Sequence, residues 1–432
     1  MTDSVQPAAD RNLADWLEYI ERTHPNEIEM GLDRVTSVAQ AMGLQAPEAH
    51  VITVAGTNGK GSTAIAIEAL LLRSGRRVGC TLSPHINHFS ERIRIQGQAA
   101  SDELICHGFA AIEACRGDVP LTYFEFAALA ALWCFKQSAV EVVILEIGLG
   151  GRLDAFNLVS ANTAVITSIG LDHQSFLGHD RASIGAEKAG ILRAGQRVCL
   201  GPDMPSSVHS RCHELGLEPL AIGASLRISE HANGWTLSCA HLAERWATPL
   251  LVQSSFVLSN CALALAAVWP LLSVAEEPAP GLLEDWSAHL SLPGRCQLLI
   301  AQGRHWLLDV GHNPLAATQL LAHLRKQFSD RRVVAVFGTL ADKDSATMTS
   351  LLAGRVSHWV LVPSAGPRGQ TSAQLAAQIS GLRNVHQAFD LAQGLRLARA
   401  LTSPLDLVLV WGSFATVAGA SMVLETPARG VD

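Results

Sequence analysis

The segment Val54-Ala55-Gly56-Thr57-Asn58-Gly59-Lys60-Gly61-Ser62-Thr63 joins a short β-branched run, Val51 to Ala55, to a helical pattern over Ser62 to Arg73. No other stretch limits the fold as much. A strand that passes straight into a helix through Gly56, Gly59 and Gly61 suits a parallel α/β sheet. The glycines let the backbone wrap an anion and point N–H groups at it. The start of the helix adds a partial positive charge. Lys60 has the length to reach outer phosphates, and Ser62 or Thr63 supplies a hydroxyl for phosphate or Mg²⁺. Only Thr57 and Asn58 separate the first glycine from the Gly-Lys pair, where the common P-loop has four residues. The order G-x-x-G-x-G also departs from the dinucleotide fingerprint G-x-G-x-x-G. A ligand-free glycine turn is the plain alternative. Lys60 and the two hydroxyls, placed where a phosphate site needs them, argue for a nucleoside triphosphate.

Further β-branched runs recur at Val140–Ile147, Thr163–Ile169, Val198–Leu200, Trp306–Val310, Val333–Phe337, Trp359–Val362 and Leu407–Trp411. Nearly continuous apolar strands alternating with helical patterns predict parallel sheets covered on both faces. Glu276 to Gly281 reads as a loop, and Leu292-Pro293-Gly294-Arg295 as a second break. The expected organisation is a P-loop-type, mostly parallel α/β domain over 1–296 and a smaller Rossmann-like α/β domain over 297–432. The apolar stretch Cys261–Ala275 is interrupted by Pro270 and is shorter than the ~18 residues of a membrane helix. With 32 Lys+Arg against 39 Asp+Glu, the net charge of −7 gives no cationic excess for nucleic acid or anionic lipid. The start of the chain is polar, without a signal-peptide pattern. Nine cysteines without a C-x-x-C pair predict free thiols in a reducing cytoplasm. Lysine occurs only at 60, 136, 188, 326 and 343, so each marks a place where a compact or deprotonatable amine is wanted.

Several polar residues sit where apolar ones would be cheaper. Glu146 ends a strand otherwise made of Val142, Val143, Ile144, Leu145 and Ile147, which demands a metal or a cationic partner such as Arg152. Ser83 follows the strand Arg77–Cys80 and offers a hydroxyl. His173 lies beside Asp172 after the run that ends at Ile169. Lys188, in Glu187-Lys188-Ala189-Gly190, is either a surface lysine, a partner of Glu187, or a group with a task. Thr122-Tyr123-Phe124-Glu125 predicts a helix start, with Thr122 as N-cap and Glu125 closing a capping box. Its two aromatic faces and carboxylate also suit a flat, donor-rich ring. Asn260 is expected to cap a helix over Cys261–Trp269, or to meet a ligand. His85 and His88 form H-x-x-H without a third ligand and read as loop residues.

The glycine loop resembles the ATP-binding loop of the Mur ligase superfamily. Almost the whole chain is similar to the folylpolyglutamate synthase family, most closely its bacterial members that are also dihydrofolate synthases. The resemblance rests on Gly31-Leu32-Asp33-Arg34-Val35, Ser83-Pro84-His85, Leu121 to Glu125, Leu145 to Asp154, Asp172-His173, Glu187 to Gly190, Leu292 to Arg295 and His312-Asn313-Pro314. It implies ATP contacts at Gly56, Thr57, Asn58, Gly59, Lys60, Gly61, Ser62, Asn260, Arg295 and Asp309. It implies two Mg²⁺ ions on Ser83, Glu146 and His173, and a carbamylated Lys188. It implies a dihydropteroate site at Thr122, Tyr123, Phe124 and Glu125 and at Leu153, Asp154 and Ala155, with His312 near the reacting groups. Lys60, Lys188, His173 and Glu146 are the expected catalytic set. Phe156 stands where the family usually has a small hydroxyl residue, Leu82 where Ser is commoner, and Gly311 where Ala is usual. Lys343 falls in a segment that resembles a loop facing the cleft.

The implied activity is ATP-dependent amide ligation: L-glutamate is added to dihydropteroate and to the glutamate tail of reduced folates, through an acyl phosphate. A monomer is expected, with no nucleic-acid or membrane partner. A nucleic-acid-dependent NTPase is opposed by the charge balance, and a nicotinamide dehydrogenase by the loop spacing. A cell-wall amino-acid ligase is opposed by the roughly fifty residues before the loop, too few for a separate nucleotide-sugar domain.

Overall fold

The computed structural model of the chain describes residues 11–24, 26, 28–231, 234–241, 244–250, 258–272, 281–288, 290, 292–366, 368–379 and 381–425. The expected loop at Glu276–Pro280 lies outside the described residues. The chain divides into two compact units, the first through Leu290 and the second from Leu292 onward.

The first unit is built on eight strands: β1 (His50–Ala55), β2 (Val78–Thr81), β3 (Ile93–Ile95), β4 (Gln98–Ala99), β5 (Val142–Glu146), β6 (Thr163–Ile166), β7 (Arg197–Leu200) and β8 (Leu220–Ala221). Their order is β4-β3-β2-β5-β1-β6-β7-β8. The run from β2 to β8 is parallel, and β3 and β4 are antiparallel additions at one edge. Every residue of β5 and β6 is buried, as apolar parallel strands covered on both faces require. β1 lies between β5 and β6. The chain leaves β1 toward β2 and later crosses from β5 to β6 on the other side, so a crevice opens at the carboxyl end of β1. The glycine loop occupies that end, and the helix Lys60–Arg73 follows it directly.

Three antiparallel strands of the first unit, β9 (Leu226–His231), β10 (Gly234–His241) and β11 (Glu244–Leu250), were not expected from the sequence. Here apolar and polar residues alternate instead of running on: Leu226 and Leu237 are fully buried and Cys239 nearly so, with Leu237 opposite Ile228 and Cys239 opposite Leu226. A one-faced antiparallel sheet has that period of two, which a search for continuous apolar runs passes over.

The helix expected over Cys261–Trp269 runs over Leu258–Leu272, with Pro270 inside it. Proline has no N–H to offer the carbonyl four residues back. That carbonyl, on Ala266, accepts instead from Arg197 Nε at 2.8 Å. A side chain from β7 thus replaces the lost backbone bond and lets the helix continue.

The second unit holds β12 (Gln297–Ala301), β13 (Arg304–Asp309), β14 (Val333–Phe337), β15 (Val356–Leu361), β16 (Val385–Gln387) and β17 (Leu407–Trp411), in the order β12-β13-β17-β14-β15-β16. All pairs are parallel except β12 with β13. Alternate residues serve two separate cores. Leu307, Ala335, Phe337, Leu409 and Trp411 point to one face, and Trp306, Leu308, Val334, Val336, Val408 and Val410 to the other. This is a Rossmann-like layered α/β unit. Together the units give the expected α/β class. No described helix of either unit is long and apolar enough to cross a membrane.

Candidate active site

The glycine loop is fastened to the segment after β6. Thr57 N donates to Ser168 O at 2.7 Å and Asn58 N to Ser168 Oγ at 3.0 Å. Asn58 O accepts from Thr167 Oγ1 at 2.6 Å and from Ser168 Oγ at 2.9 Å. These bonds hold the first half of the loop, and the helix Lys60–Arg73 starts directly behind it. Gly56 and Gly59 both have positive φ, +148° and +86°. A Cβ at Gly56 would lie 1.9 Å from Thr167 Oγ1, and one at Gly59 would lie 2.6 Å from Asn260 Oδ1. Glycine is required at both by conformation and by space. The second contact puts Asn260 against the loop. Asn260 lies inside the first turn of its helix, which begins at Leu258, so it is not the expected cap.

Two amines meet at one carbonyl. Lys60 Nζ donates to Gly56 O at 3.1 Å and to Thr57 O at 3.3 Å, and Lys188 Nζ donates to the same Gly56 O at 2.9 Å. Lys188 is buried, 4% exposed, near the end of the helix Arg181–Ala189. It is therefore not a surface lysine. Nor is it paired with Glu187, whose carboxylate takes Arg152 Nη2 at 2.9 Å. Burial, then the neighbouring Lys60 ammonium, lowers the Lys188 amine to about 7, against the opposing pull of Asp172 and Asp154. Glycine, lysine and aspartate motifs far apart in the sequence thus share one electrostatic neighbourhood.

Arg152 is likewise not the partner of Glu146. Glu146 is buried at the end of β5, in register with Val54 of β1. Its Oε2 accepts from Ser83 N at 2.7 Å, and its own N–H donates to Thr81 Oγ1 at 2.9 Å. Two of the three expected metal ligands are thereby adjacent. His173 lies on the connection after β6, at the head of the short helix Gln174–Leu177, with positive φ and its N–H on Asp172 Oδ1 at 2.9 Å. β6 ends at Ile166 rather than Ile169, because Thr167 and Ser168 turn aside to hold the glycine loop. Among the described residues no three His, Cys, Asp or Glu side chains form a metal cage. The expected set has only two such side chains plus a hydroxyl. A hydroxyl, a buried carboxylate and an imidazole are donors that suit Mg²⁺ or Mn²⁺.

The expected capping box forms: Thr122 N donates to Glu125 Oε2 at 2.7 Å, and Glu125 N to Thr122 Oγ1 at 3.2 Å. Arg34 Nη2 also reaches Glu125, at 3.3 Å. Phe124 packs across Gly148, where a Cβ would fall 2.6 Å from its ring, and meets Phe156 edge-on at 5.7 Å. The bulk of Phe156 is thus buried beneath Phe124. Asp154 accepts from the N–H groups of Gly148, Leu149 and Phe156 at 2.9 to 3.0 Å, which folds the Gly148–Ala155 turn around its carboxylate. Burial pushes this carboxyl up to about 6, against those three donors and Lys60. His85 Nδ1 accepts from Arg92 Nε at 2.8 Å, and burial with that cation brings the imidazole down to about 4.

In the second unit, Asp309 ends β13 and accepts from Cys296 N at 3.0 Å and Gly311 N at 2.8 Å. A Cβ at Gly311 would lie 2.7 Å from Asp309 Oδ1 and 2.9 Å from Ala316 Cβ, so a larger residue there needs these neighbours to shift. Arg295 stacks on Phe414 at 5.3 Å, and His312 lies 5.9 Å from the same ring. Arg295 and His312 therefore flank one aromatic side chain. Asn313 caps the helix Pro314–Gln327 through Ala316 N. The segment with Lys343 is a turn in which Lys343 N donates to Leu340 O at 3.2 Å. Arg34 and Arg92 are two cations at the site that sequence reasoning did not single out. Arg34 was visible within Gly31-Leu32-Asp33-Arg34, but its contact with Glu125 was not.

Residues 294–414 match the family described as Mur ligase, glutamate ligase domain. The Escherichia coli K12 protein dihydrofolate synthase/folylpolyglutamate synthase is 42% identical over 427 residues, covering 98% of this chain and 98% of that protein. The structure of E. coli FolC in complex with DHPP and ADP superposes with a TM-score of 0.91 at 41% identity, covering 97% of this chain and 99% of that one. A bifunctional folylpolyglutamate synthase/dihydrofolate synthase with Mn, AMPPNP and L-glutamate bound gives a TM-score of 0.88 at 42% identity, covering 96% and 99%.

Proposed function

The chain belongs to the dihydrofolate synthase/folylpolyglutamate synthase family of Mur ligases, and from that premise we propose the following reaction and residue roles. The chain is an ATP-dependent acid–amino-acid ligase. It joins L-glutamate to dihydropteroate and to the glutamate tail of reduced folates. The acceptor carboxylate attacks the γ-phosphorus of ATP, the bond to ADP breaks, and an acyl phosphate forms. The amine of L-glutamate then attacks the acyl carbon, loses a proton, and phosphate leaves. Activation is needed because a carboxylate is a poor electrophile.

The observation that carries these roles is the meeting of Lys60 and Lys188 at Gly56 O. Lys60 exchanges carbonyl partners for the outer phosphates, and the helix N-terminus behind it holds the inner ones. Ser83, Glu146 and His173 hold divalent ions, two Mg²⁺ in our reading, which when bound neutralise charge on the transferred phosphoryl group. Asn260 contacts the adenine, and Arg295 and Asp309 contact the nucleotide. Tyr123 and Phe124 supply faces for the pterin, with Thr122, Glu125, Leu153, Asp154 and Ala155 around it. Free thiols at all nine cysteines fit a reducing cytoplasm. The test is ADP release with L-glutamate and, separately, dihydropteroate or tetrahydrofolate. Release that requires both the acid and L-glutamate is expected; ATP hydrolysis indifferent to either would overturn the assignment.

Lys188 is carbamylated in this reading. The neutral amine attacks CO₂, an N–C bond forms, and a proton passes to solvent. A folded-state value of about 7, below the ordinary 10.5, supplies that amine at neutral pH. Between about pH 7 and 10.5 the unfolded chain binds more protons at this site, so its contribution rises with pH across that window. Below pH 7 the cost of burying the ammonium is fully present. Activity is therefore expected to respond to added bicarbonate, more so as pH rises through 7, and Lys188→Arg is expected to be inactive and indifferent to bicarbonate. Electron density ending at an ordinary ammonium in crystals grown with bicarbonate would remove the modification.

A further inference from the structure

The segment Leu82–His85 leaves the sheet after β2, yet one residue holds both of its ends. β2 and β3 pair with Thr81 opposite Ile93, and the ladder extends one step further when Leu82 N donates to Arg92 O at 3.1 Å. Three residues on, the guanidinium of the same Arg92 donates from Nε to His85 Nδ1 at 2.8 Å. Between these points Ser83 N reaches Glu146 Oε2 at 2.7 Å. The guanidinium is fixed in turn by two aromatic faces, Phe89 at 5.8 Å and Tyr123 at 5.5 Å, which themselves meet edge-on at 5.9 Å. Glu146, Tyr123 and Glu91 are its electrostatic neighbours. Glu91 spends its carboxylate on the N–H groups of Ile86, Asn87 and His88, which fixes the rest of the loop.

We propose that Arg92 is a positioning residue for phosphoryl transfer: through the Leu82 amide and the His85 ring it sets the segment carrying Ser83 against Glu146, so that the two present their oxygens to one divalent ion. This rests on the assignment of Ser83 and Glu146 to the metal. Three features make arginine suited to the task. Its Nε donor lies in a fixed plane, which a lysine ammonium does not reproduce. Its flat face stacks between rings. Its charge beside Glu146 lowers the cost of a buried carboxylate before an ion arrives. By accepting at Nδ1, neutral His85 carries its proton on Nε2.

The test uses the full-length protein with AMPPNP and Mn²⁺ as the probe, followed by electron paramagnetic resonance. Arg92→Met is expected to weaken Mn²⁺ binding by about 10- to 100-fold, the usual range for residues that orient ligands. It should leave the KM for L-glutamate within about twofold, which general damage would not. Arg92→Lys should recover part of the loss. Adding His85→Ala to Arg92→Met should cost little more, because both act through one contact. In the metal-free protein, long-range ¹H–¹⁵N spectra should show the Nε2–H form of His85, lost in Arg92→Met. Unchanged Mn²⁺ affinity in both Arg92 variants, with Glu146→Gln abolishing binding, would overturn the role of Arg92 alone. Wild-type Mn²⁺ affinity in Glu146→Gln would overturn the metal assignment beneath it.

Discussion

Lys60→Ala is expected to lower kcat by about 10³-fold or more, with the fold intact. The magnitude follows from the role. Removing one preorganised donor aimed at developing charge costs about 10²- to 10³-fold, and Lys60 brings a full charge in place of a dipole. Its Nζ lies 3.1 Å from Gly56 O and 3.3 Å from Thr57 O, so the ammonium is already held at the loop when nucleotide arrives. The variant also alters Lys188, because the Lys60 charge helps to hold that amine low. Without it Lys188 should titrate higher and respond less to bicarbonate. Single-turnover phosphate release, together with thermal unfolding, checks both points. Near-normal turnover in a folded Lys60→Ala protein would defeat the assignment of the glycine loop.

Glu146→Ala is expected to abolish ADP release at ordinary Mg²⁺, or to demand far higher Mg²⁺. It should also cost about 1–3 kcal/mol of stability. The stability loss arises because Ser83 N loses its acceptor at 2.7 Å in a partly buried setting. Glu146→Gln separates the two effects. An amide oxygen still accepts from Ser83 N, so stability should largely return, whereas the charge needed for a cation does not. A Mg²⁺ titration of ADP release beside thermal unfolding reads both. Wild-type Mg²⁺ dependence in Glu146→Gln would show that this carboxylate is structural.

Much of this molecule was legible before any coordinate. The glycine loop, the strand before it, the helix after it and the capping box at Thr122 are local features, and the structure has them where spacing put them. The β9–β11 sheet was missed because the buried residues of β9 and β10 recur with period two instead of running on. The helix was expected to stop at Trp269, and its continuation through Pro270 was missed because the rescue comes from Arg197, 73 positions before the proline. The strand before His173 was expected to reach Ile169, whereas it stops at Ile166, where Thr167 and Ser168 tie down the glycine loop.

By itself the sequence determined where a glycine turn of phosphate-binding form lies and which side chains have the right chemistry. Conformational preference at glycine, helix-cap bonding and the expense of an acidic residue in an apolar run all act over a few residues. Only the tertiary structure decided which of those side chains share a charge environment. It set Lys188 beside Lys60 on a single carbonyl, gave Arg152 to Glu187 instead of Glu146, and joined Arg92 to both ends of the segment that carries Ser83. Coulombic coupling and desolvation depend on distance and burial in space, and residues 128 apart along the chain, such as Lys60 and Lys188, carry no local sign of either.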